Sequence, residues 1–304
     1  MKLGIISSIL DGWTYEEMID EISRIGYECV EVACWPQGKA ERKYGGVSHI
    51  DVNNLDEEKK EHILSYAAEH GVTISALAYY PNTMDGNPDK RKASIEHLYK
   101  VIDAASFLGI DLVTTFIGRV TELPVEDNLE IFAEVWPPII KYAASKGVRI
   151  GIENCPMLFD RTNWPGGQNL FTSPVLWRKM FEIIPDRNFG INFDPSHFVW
   201  QQMDYIAPIY EFKDRIFHVH FKDIKLYPEK LKECGVMAYP LDYMDPKIPG
   251  YGDVEWKRFV SALTDIRYDG FACVEVEDRA FEGSKEKIID SLKQSYKYMR
   301  ALVI

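Results

Sequence analysis

The chain reads as an α/β protein, a single (β/α)8 barrel. Three observations predict this: short β-rich runs alternate with longer amphipathic segments, eight such pairs fill the 304 residues, and several helical segments pass into the next strand through a glycine. Alternation of this kind implies a parallel sheet with right-handed crossovers. Eight units suit a closed barrel better than an open doubly wound sheet, and no GxGxxG follows the first strand.

In chain order, the strands are expected at 3–7, 29–33, 73–78, 112–116, 149–153, 189–193, 216–220 and 271–275. The helices are expected at 14–24, 56–70, 89–108, 125–145, 173–183, 203–212, 254–264 and 284–302. The junctions RIGYECVEV, EHGVTISAL, FLGIDLVTT and SKGVRIGIE each place glycine where a left-handed residue ends a helix. Gly166 and Gly167 follow no strand directly and read as a loop turn. No composition break, linker or low-complexity segment interrupts the pattern, so residues 1–304 are expected to form one domain.

Bulk properties narrow the partners. A net charge of −12 argues against a nucleic-acid backbone or an anionic membrane as partner and leaves small neutral substrates open. Five cysteines without a CxxC pair support neither a disulfide framework nor a zinc knuckle, and point to reduced thiols in a cytoplasmic protein. The apolar start is broken by Asp11 and Gly12, a poor signal peptide, and no window of about 18 apolar residues exists for a spanning helix.

In a barrel of this kind chemistry gathers at the C-terminal ends of the strands. The last four strands end at Glu153, Asp194, His220 and Glu275, so each delivers one metal-competent side chain to the same rim. Two bare charges about 4 Å apart repel by roughly 4 kcal/mol at an effective dielectric near 20, so three converging carboxylates call for protons or a cation. Three oxygens with one imidazole suit Mn2+ first, with Co2+ or Mg2+ as alternatives, and form an unusual set for Zn2+, which stays open.

The plainer reading of any one strand-end carboxylate is a helix cap or an ion-pair partner. Glu31, in CVEVACW, also ends a strand and either binds substrate or, in the plainer and preferred role, pairs with Arg24 or Arg42. In HVH the two histidines share a face, His220 nearer the rim as ligand and His218 one layer deeper as support or packing. His197, three residues past Asp194 and expected on the loop, either caps the next helix or, the preferred role, touches substrate. Lys222 and Asp223 contact substrate or pair with one another. Trp35, Trp164, Phe159 and Tyr79 are rim aromatics able to stack on a sugar ring or to pack the loops.

At IEN (152–154), FDPSH (193–197), HVHFKD (218–223) and VEVED (274–278) the chain resembles the xylose isomerase-like TIM-barrel superfamily. The branch is that of sugar isomerases and epimerases, with D-tagatose 3-epimerase, D-psicose 3-epimerase and inosose dehydratase. GYGDVEW (250–256) resembles that family's turn before the last helix. The resemblance runs the length of the chain in strand order. It implies Glu153, Asp194, His220 and Glu275 as ligands of one divalent metal ion and His197 on a substrate oxygen. It also implies Glu153 and Glu275 as an acid–base pair working through a metal-stabilised enediolate. Homo-oligomers are common among such relatives.

Two departures bear on substrate. The epimerases carry an arginine six residues past the metal histidine, where this chain has Leu226. The segments after the fifth strand and from 221 to 253 are also long, and both fall over the expected site. The leading expectation is a metal-dependent isomerase or epimerase of a keto-sugar or cyclitol. The alternative is a lyase on 3-keto sugars or keto-cyclitols, either inosose dehydratase-like or the catalytic subunit of a C-glycoside deglycosidase with a small partner chain. The endonuclease branch needs a histidine cluster for three zinc ions and a basic groove, which seven histidines and an acidic excess do not supply. A non-catalytic binding module would have lost ligands, and none is missing.

Overall fold

The computed structural model describes residues 1–38, 45–158 and 161–303. Eight parallel strands close a barrel: β1 (Lys2–Ile6), β2 (Cys29–Ala33), β3 (Thr73–Ala78), β4 (Leu112–Thr115), β5 (Arg149–Glu153), β6 (Phe189–Phe193), β7 (Ile216–Phe221) and β10 (Phe271–Val274). The ring runs β1-β10-β7-β6-β5-β4-β3-β2, and β1 closes it by pairing with both β2 and β10. Residues 216–275 also contain a two-stranded antiparallel hairpin outside the barrel, β8 (Asp223–Leu226) with β9 (Met244–Lys247).

The helices α1 (Tyr15–Ile25), α2 (Glu57–Glu69), α3 (Pro88–Leu108), α4 (Val125–Ser145), α5 (Pro174–Ile183), α9 (Trp256–Asp265) and α10 (Lys285–Arg300) occupy the expected places. Local chemistry sets several of their ends. Thr14 and Glu17 form a reciprocal capping box ahead of α1, and Asp56, Asn87 and Ser284 accept from backbone N–H groups at the starts of α2, α3 and α10. Gly26 and Gly109 end α1 and α3 at φ 112° and 74°, where a side chain would be strained.

The helix expected at 203–212 is instead two short ones, α6 (Ser196–Trp200) and α7 (Ala207–Glu211). Gln202 takes a positive φ of 57° and ends the first. Asp204 Oδ1 then accepts from Ile206 and Ala207 N–H, and Pro208 falls in the first turn of the second. Early starting of the helix at Ser196 puts His197 on α6 rather than on a loop. The segment 221–253 is likewise ordered, holding β8, α8 (Pro228–Cys234) and β9.

The core is one large apolar cluster between barrel and helices, with Phe132, Trp136, Phe171, Trp177, Phe189 and Phe193 among its fully buried members. Among the described residues no helix is long and apolar enough to cross a membrane.

Candidate metal centre

The inward-facing residues of β2, β5, β6 and β7 and the first residue after β10 build a polar cluster inside an otherwise apolar wall. Glu153 is the last residue of β5, Asp194 follows β6, His220 lies near the end of β7 and Glu275 follows β10. All four are buried or nearly so. His220 Nδ1 stands 3.5 Å from Glu153 Oε1 and 3.2 Å from Glu275 Oε2. These three side chains offer ligand atoms that all lie within 4.8 Å of one another, a group able to hold a metal ion. Asp194 joins them through His197, whose Nε2 is 3.2 Å from Asp194 Oδ2 and 3.7 Å from Glu153 Oε1.

Hydrogen bonding tests whether a cation fits. Glu153 Oε1, Asp194 Oδ2, His220 Nδ1 and Glu275 Oε2 are each buried without a hydrogen-bond partner. A buried, unpaired polar atom costs about 1–3 kcal/mol, and a cation among Glu153, His220 and Glu275, with Asp194 beside them, would offset that cost. Charge says the same. Glu31, Glu153, Asp194, Glu275 and Glu277 share this cluster with His197 and His220, and Lys222, paired with Glu275 and Glu277, is the one lysine or arginine among the described residues that pairs with any of them. The donor set therefore fits a divalent cation.

The pKa directions follow from this crowding. Burial pushes Glu275 up, and the neighbouring Glu153 charge adds to that against the opposing pull of Lys222. Glu153 also feels burial, but His220 and His197 outweigh it and hold it well below the carboxylate range. Burial alone would lower His220 and His197. Glu31 and Glu153 reverse this for His220, and Cys155 and Asp194 for His197, leaving both well above the ordinary histidine value. Lys222 stays charged despite burial because Glu275, Glu277 and Asp194 surround it. A cation would supply the positive charge that these imidazole protons otherwise provide.

Glu31 is the main correction. It makes no pair with Arg24, which binds Glu21, and Arg42 lies outside the described residues. Glu31 is fully buried at the middle of β2, where its Oε2 is 2.7 Å from His220 Nε2. Tyr80 Oη and Thr114 Oγ1 donate to its Oε1 at 2.5 and 2.7 Å. Burial raises its pKa, but His220 and His218 outweigh that and hold it at about 2. An imidazole whose Nε2–H points at a carboxylate presents its Nδ1 lone pair to the opposite side, which is how a histidine ligand is oriented. The register of β2 against β3 shifts between Val30 and Glu31, and that of β6 against β7 between Ile191 and Asn192. Irregularities of this kind re-aim side chains beside sites.

His218 lies deeper, near Ser75 Oγ (3.1 Å), Asn192 Oδ1 (3.2 Å) and Glu31 (3.5 Å), beneath the ligand group. Asn154, next to Glu153, holds the backbone of Asp194 at the end of β6: its Oδ1 accepts from Asp194 N–H and its Nδ2 donates to Asp194 O, both at 2.8 Å. Asn169 donates to the Glu153 and Cys155 carbonyls and fixes the exit of β5. Neither asparagine's role, nor that of Tyr80, Asn192 or Glu277, was expected. A polar residue on the inward face of an apolar strand was the available signal for Glu31 and Asn192.

The expected substrate contacts divide. Lys222 Nζ reaches Glu275 (3.1 Å) and Glu277 (2.6 Å), and with His197 it lines a cavity of about 220 Å3 at the barrel mouth. Asp223 does not face that cavity. It is saturated by the N–H groups of Ile224, Gly250 and Val254 and by Trp256 Nε1, and it does not pair with Lys222. A Cβ at Gly252 would collide with Asp223 and the Ile224 carbonyl, so glycine there permits this packing. Trp164 donates from Nε1 to Met237 O (2.9 Å) and packs edge-on against Trp200. Trp35 and Tyr79 pack on each other, and Phe159 lies outside the described residues.

A closed parallel barrel with carboxylates and an imidazole converging at its C-terminal rim defines a class, the (β/α)8 proteins with a metal-competent mouth. Within that class the chain belongs to the xylose isomerase-like TIM barrel family, whose model matches residues 19–302. It is 24% identical to the uncharacterized protein YfiH of Bacillus subtilis over 97% of this chain and 99% of that one. Inosose dehydratase of Salmonella typhimurium is 31% identical over 117 residues, covering 34% of this chain and 38% of that protein. Among solved structures, the IOLI protein with a bound zinc atom superposes with a TM-score of 0.72 at 17% identity, covering 100% of this chain and 98% of that one. D-psicose 3-epimerase of Clostridium cellulolyticum H10 gives 0.69 at 14% identity, covering 100% and 99%. These two structures bear on the fold alone.

Proposed function

We propose that the protein is a divalent-metal-dependent isomerase or epimerase of a keto-sugar or cyclitol. The observation that carries this reading is the set of four partnerless ligand atoms, on Glu153, Asp194, His220 and Glu275, gathered at the mouth of a barrel of this family. Three carboxylates with one imidazole favour a hard ion, Mn2+ first. When bound, the ion would polarise a substrate carbonyl and acidify the neighbouring C–H.

The protein's own groups do the rest. Glu153 and Glu275 come from opposite neighbours of the β6–β7 pair and flank His220. One of them takes the proton from carbon, and the other returns one to the same or the adjacent carbon. His197, whose Nε2 faces Asp194 and Glu153 and which lines the cavity, is placed to hold a substrate oxygen. Lys222, braced by Glu275 and Glu277, fixes the side-chain position of Glu275 and presents a positive charge to the cavity.

The likeness to inosose dehydratases favours a second outcome from the same first step, in which a hydroxyl on the next carbon leaves after proton abstraction. The test is incubation of Mn2+-loaded protein with ketoses and keto-cyclitols in D2O. Deuterium at the carbon beside the carbonyl is expected, and product mass separates isomerisation from loss of water. Absence of deuterium from every compound, with the metal shown to be bound, would overturn the reading.

A further inference from the structure

The cavity beside the ligand group has two chemically different ends. Its inner end holds His197 and Lys222, the residues that also touch Asp194 and Glu275. Much of the rest of its lining is apolar, from Leu158, Trp200, Ile224, Leu241, Met244 and Pro246, with Glu277 and Arg279 as the other charged groups. These side chains come from three separate places: the segment after β5, α6, and the hairpin region 223–247. Trp200, Ile224 and Met244 belong to a small apolar cluster separate from the main core.

This wall is built in advance. Tyr239 Oη donates to Leu158 O at 3.0 Å, and Trp164 Nε1 donates to Met237 O at 2.9 Å. Arg161 forms a two-pronged pair with Asp242 at 2.9 and 2.5 Å. The segment after β5 and the segment carrying the hairpin are thus linked three times over the site. Sugar hydroxyl groups set against the apolar side chains of this wall would lose hydrogen bonds to water there. The volume of about 220 Å3 is below the roughly 300–1,000 Å3 of pockets that take drug-sized ligands, so a single ring fits it better than a polycycle.

We infer that the substrate is a conjugate, a sugar or cyclitol carrying one aromatic or alicyclic group, and that the apolar part of the cavity receives that group. The inference rests on the sugar-directed chemistry proposed above. It gives Leu241 and Met244 a role in selecting substrate, and it accounts for the two long segments and for the anchoring of the second one by Asp223.

The experiment is calorimetric titration of the Mn2+-loaded protein with paired phenyl and methyl glycosides of several hexoses, repeated with Leu241→Asn and Met244→Gln. In at least one pair the phenyl member should bind about tenfold more tightly, a difference of about 1.4 kcal/mol. The preference should fall below about threefold in both variants while their melting temperatures stay near that of the parent. Equal affinity within every pair, no binding of any phenyl member, or a preference unchanged in both variants would each overturn the inference. The D2O experiment keeps the two ideas separate. Deuterium uptake from free ketoses without a phenyl preference leaves the proposed chemistry standing and removes the subsite, whereas a phenyl preference without uptake does the reverse.

Discussion

Glu31→Gln is the most informative single change to the candidate centre. Glutamine keeps the volume of the glutamate, and its side-chain oxygen can still accept from Tyr80 and Thr114. What changes is the group facing His220 Nε2, now 2.7 Å from a carboxylate oxygen. An amide NH2 there would oppose the Nε2–H, so His220 escapes the clash by carrying its proton on Nδ1. That is the atom that faces Glu153 and Glu275 without a partner. The ligand lone pair is then covered by a proton, and the metal must compete with it. Loss of such a supporting carboxylate weakens metal binding by roughly 10–100-fold, or about 1.4–2.8 kcal/mol. Calorimetric titration of metal-free protein with Mn2+ reads this directly, with the melting temperature of the metal-free variant as the control for folding. Mn2+ affinity within about twofold of the parent, in a variant that folds normally, would refute the role given to Glu31.

Three further outcomes are expected. Glu153→Gln should lower deuterium exchange by a factor of roughly 100 or more while the barrel remains folded; exchange within threefold of the parent would end its assignment as an acid–base group. Asp223→Ala strips three buried donors and one part-buried donor of their acceptor and should cost about 3 kcal/mol in urea unfolding, against a cost under 1 kcal/mol if the long segment is held by other contacts. His49 gives a pH signature. Burial lowers its pKa, and it is held neutral between Ser7 Oγ and the Leu10 carbonyl. The folded state therefore binds fewer protons there than the unfolded state, and the stability His49 contributes is present above about pH 6.5 and lost as pH falls below it. The stability advantage of the parent over His49→Gln should shrink between pH 7.5 and pH 5, and a constant difference across that range would contradict this.

The barrel was legible because its strands are short, apolar and separated by helices with clear ends; the capping box at Thr14 and the glycines at 26 and 109 mark those ends in the sequence itself. The rim residues were legible because four successive strands stop at a ligand-type side chain. Glu31 was missed for a different reason. Its partner His220 is 189 positions away, and only closure of the ring, which brings β2 and β7 to the same interior, makes them neighbours. The expected strand 29–33 nevertheless put Glu31 at its centre, where a buried carboxylate needs an inward partner. Asp223 misled in the opposite direction, since it follows the rim histidine closely yet turns outward to bind the backbone of 250–254 and Trp256. The hairpin was hidden because β9, Met244–Lys247, carries a proline and lacks an alternating pattern. Trp164 showed an aromatic at the rim but not its indole partner, Met237 O, 73 positions on.

The claim on which the account depends is that one divalent ion is held at the end of the barrel. Crystals grown with Mn2+ and measured at the manganese absorption edge test it directly. The account predicts a single anomalous peak within bonding distance of Glu153, Asp194, His220 and Glu275. A peak elsewhere, or none among these four side chains in a crystal whose protein binds Mn2+ in solution, would contradict it.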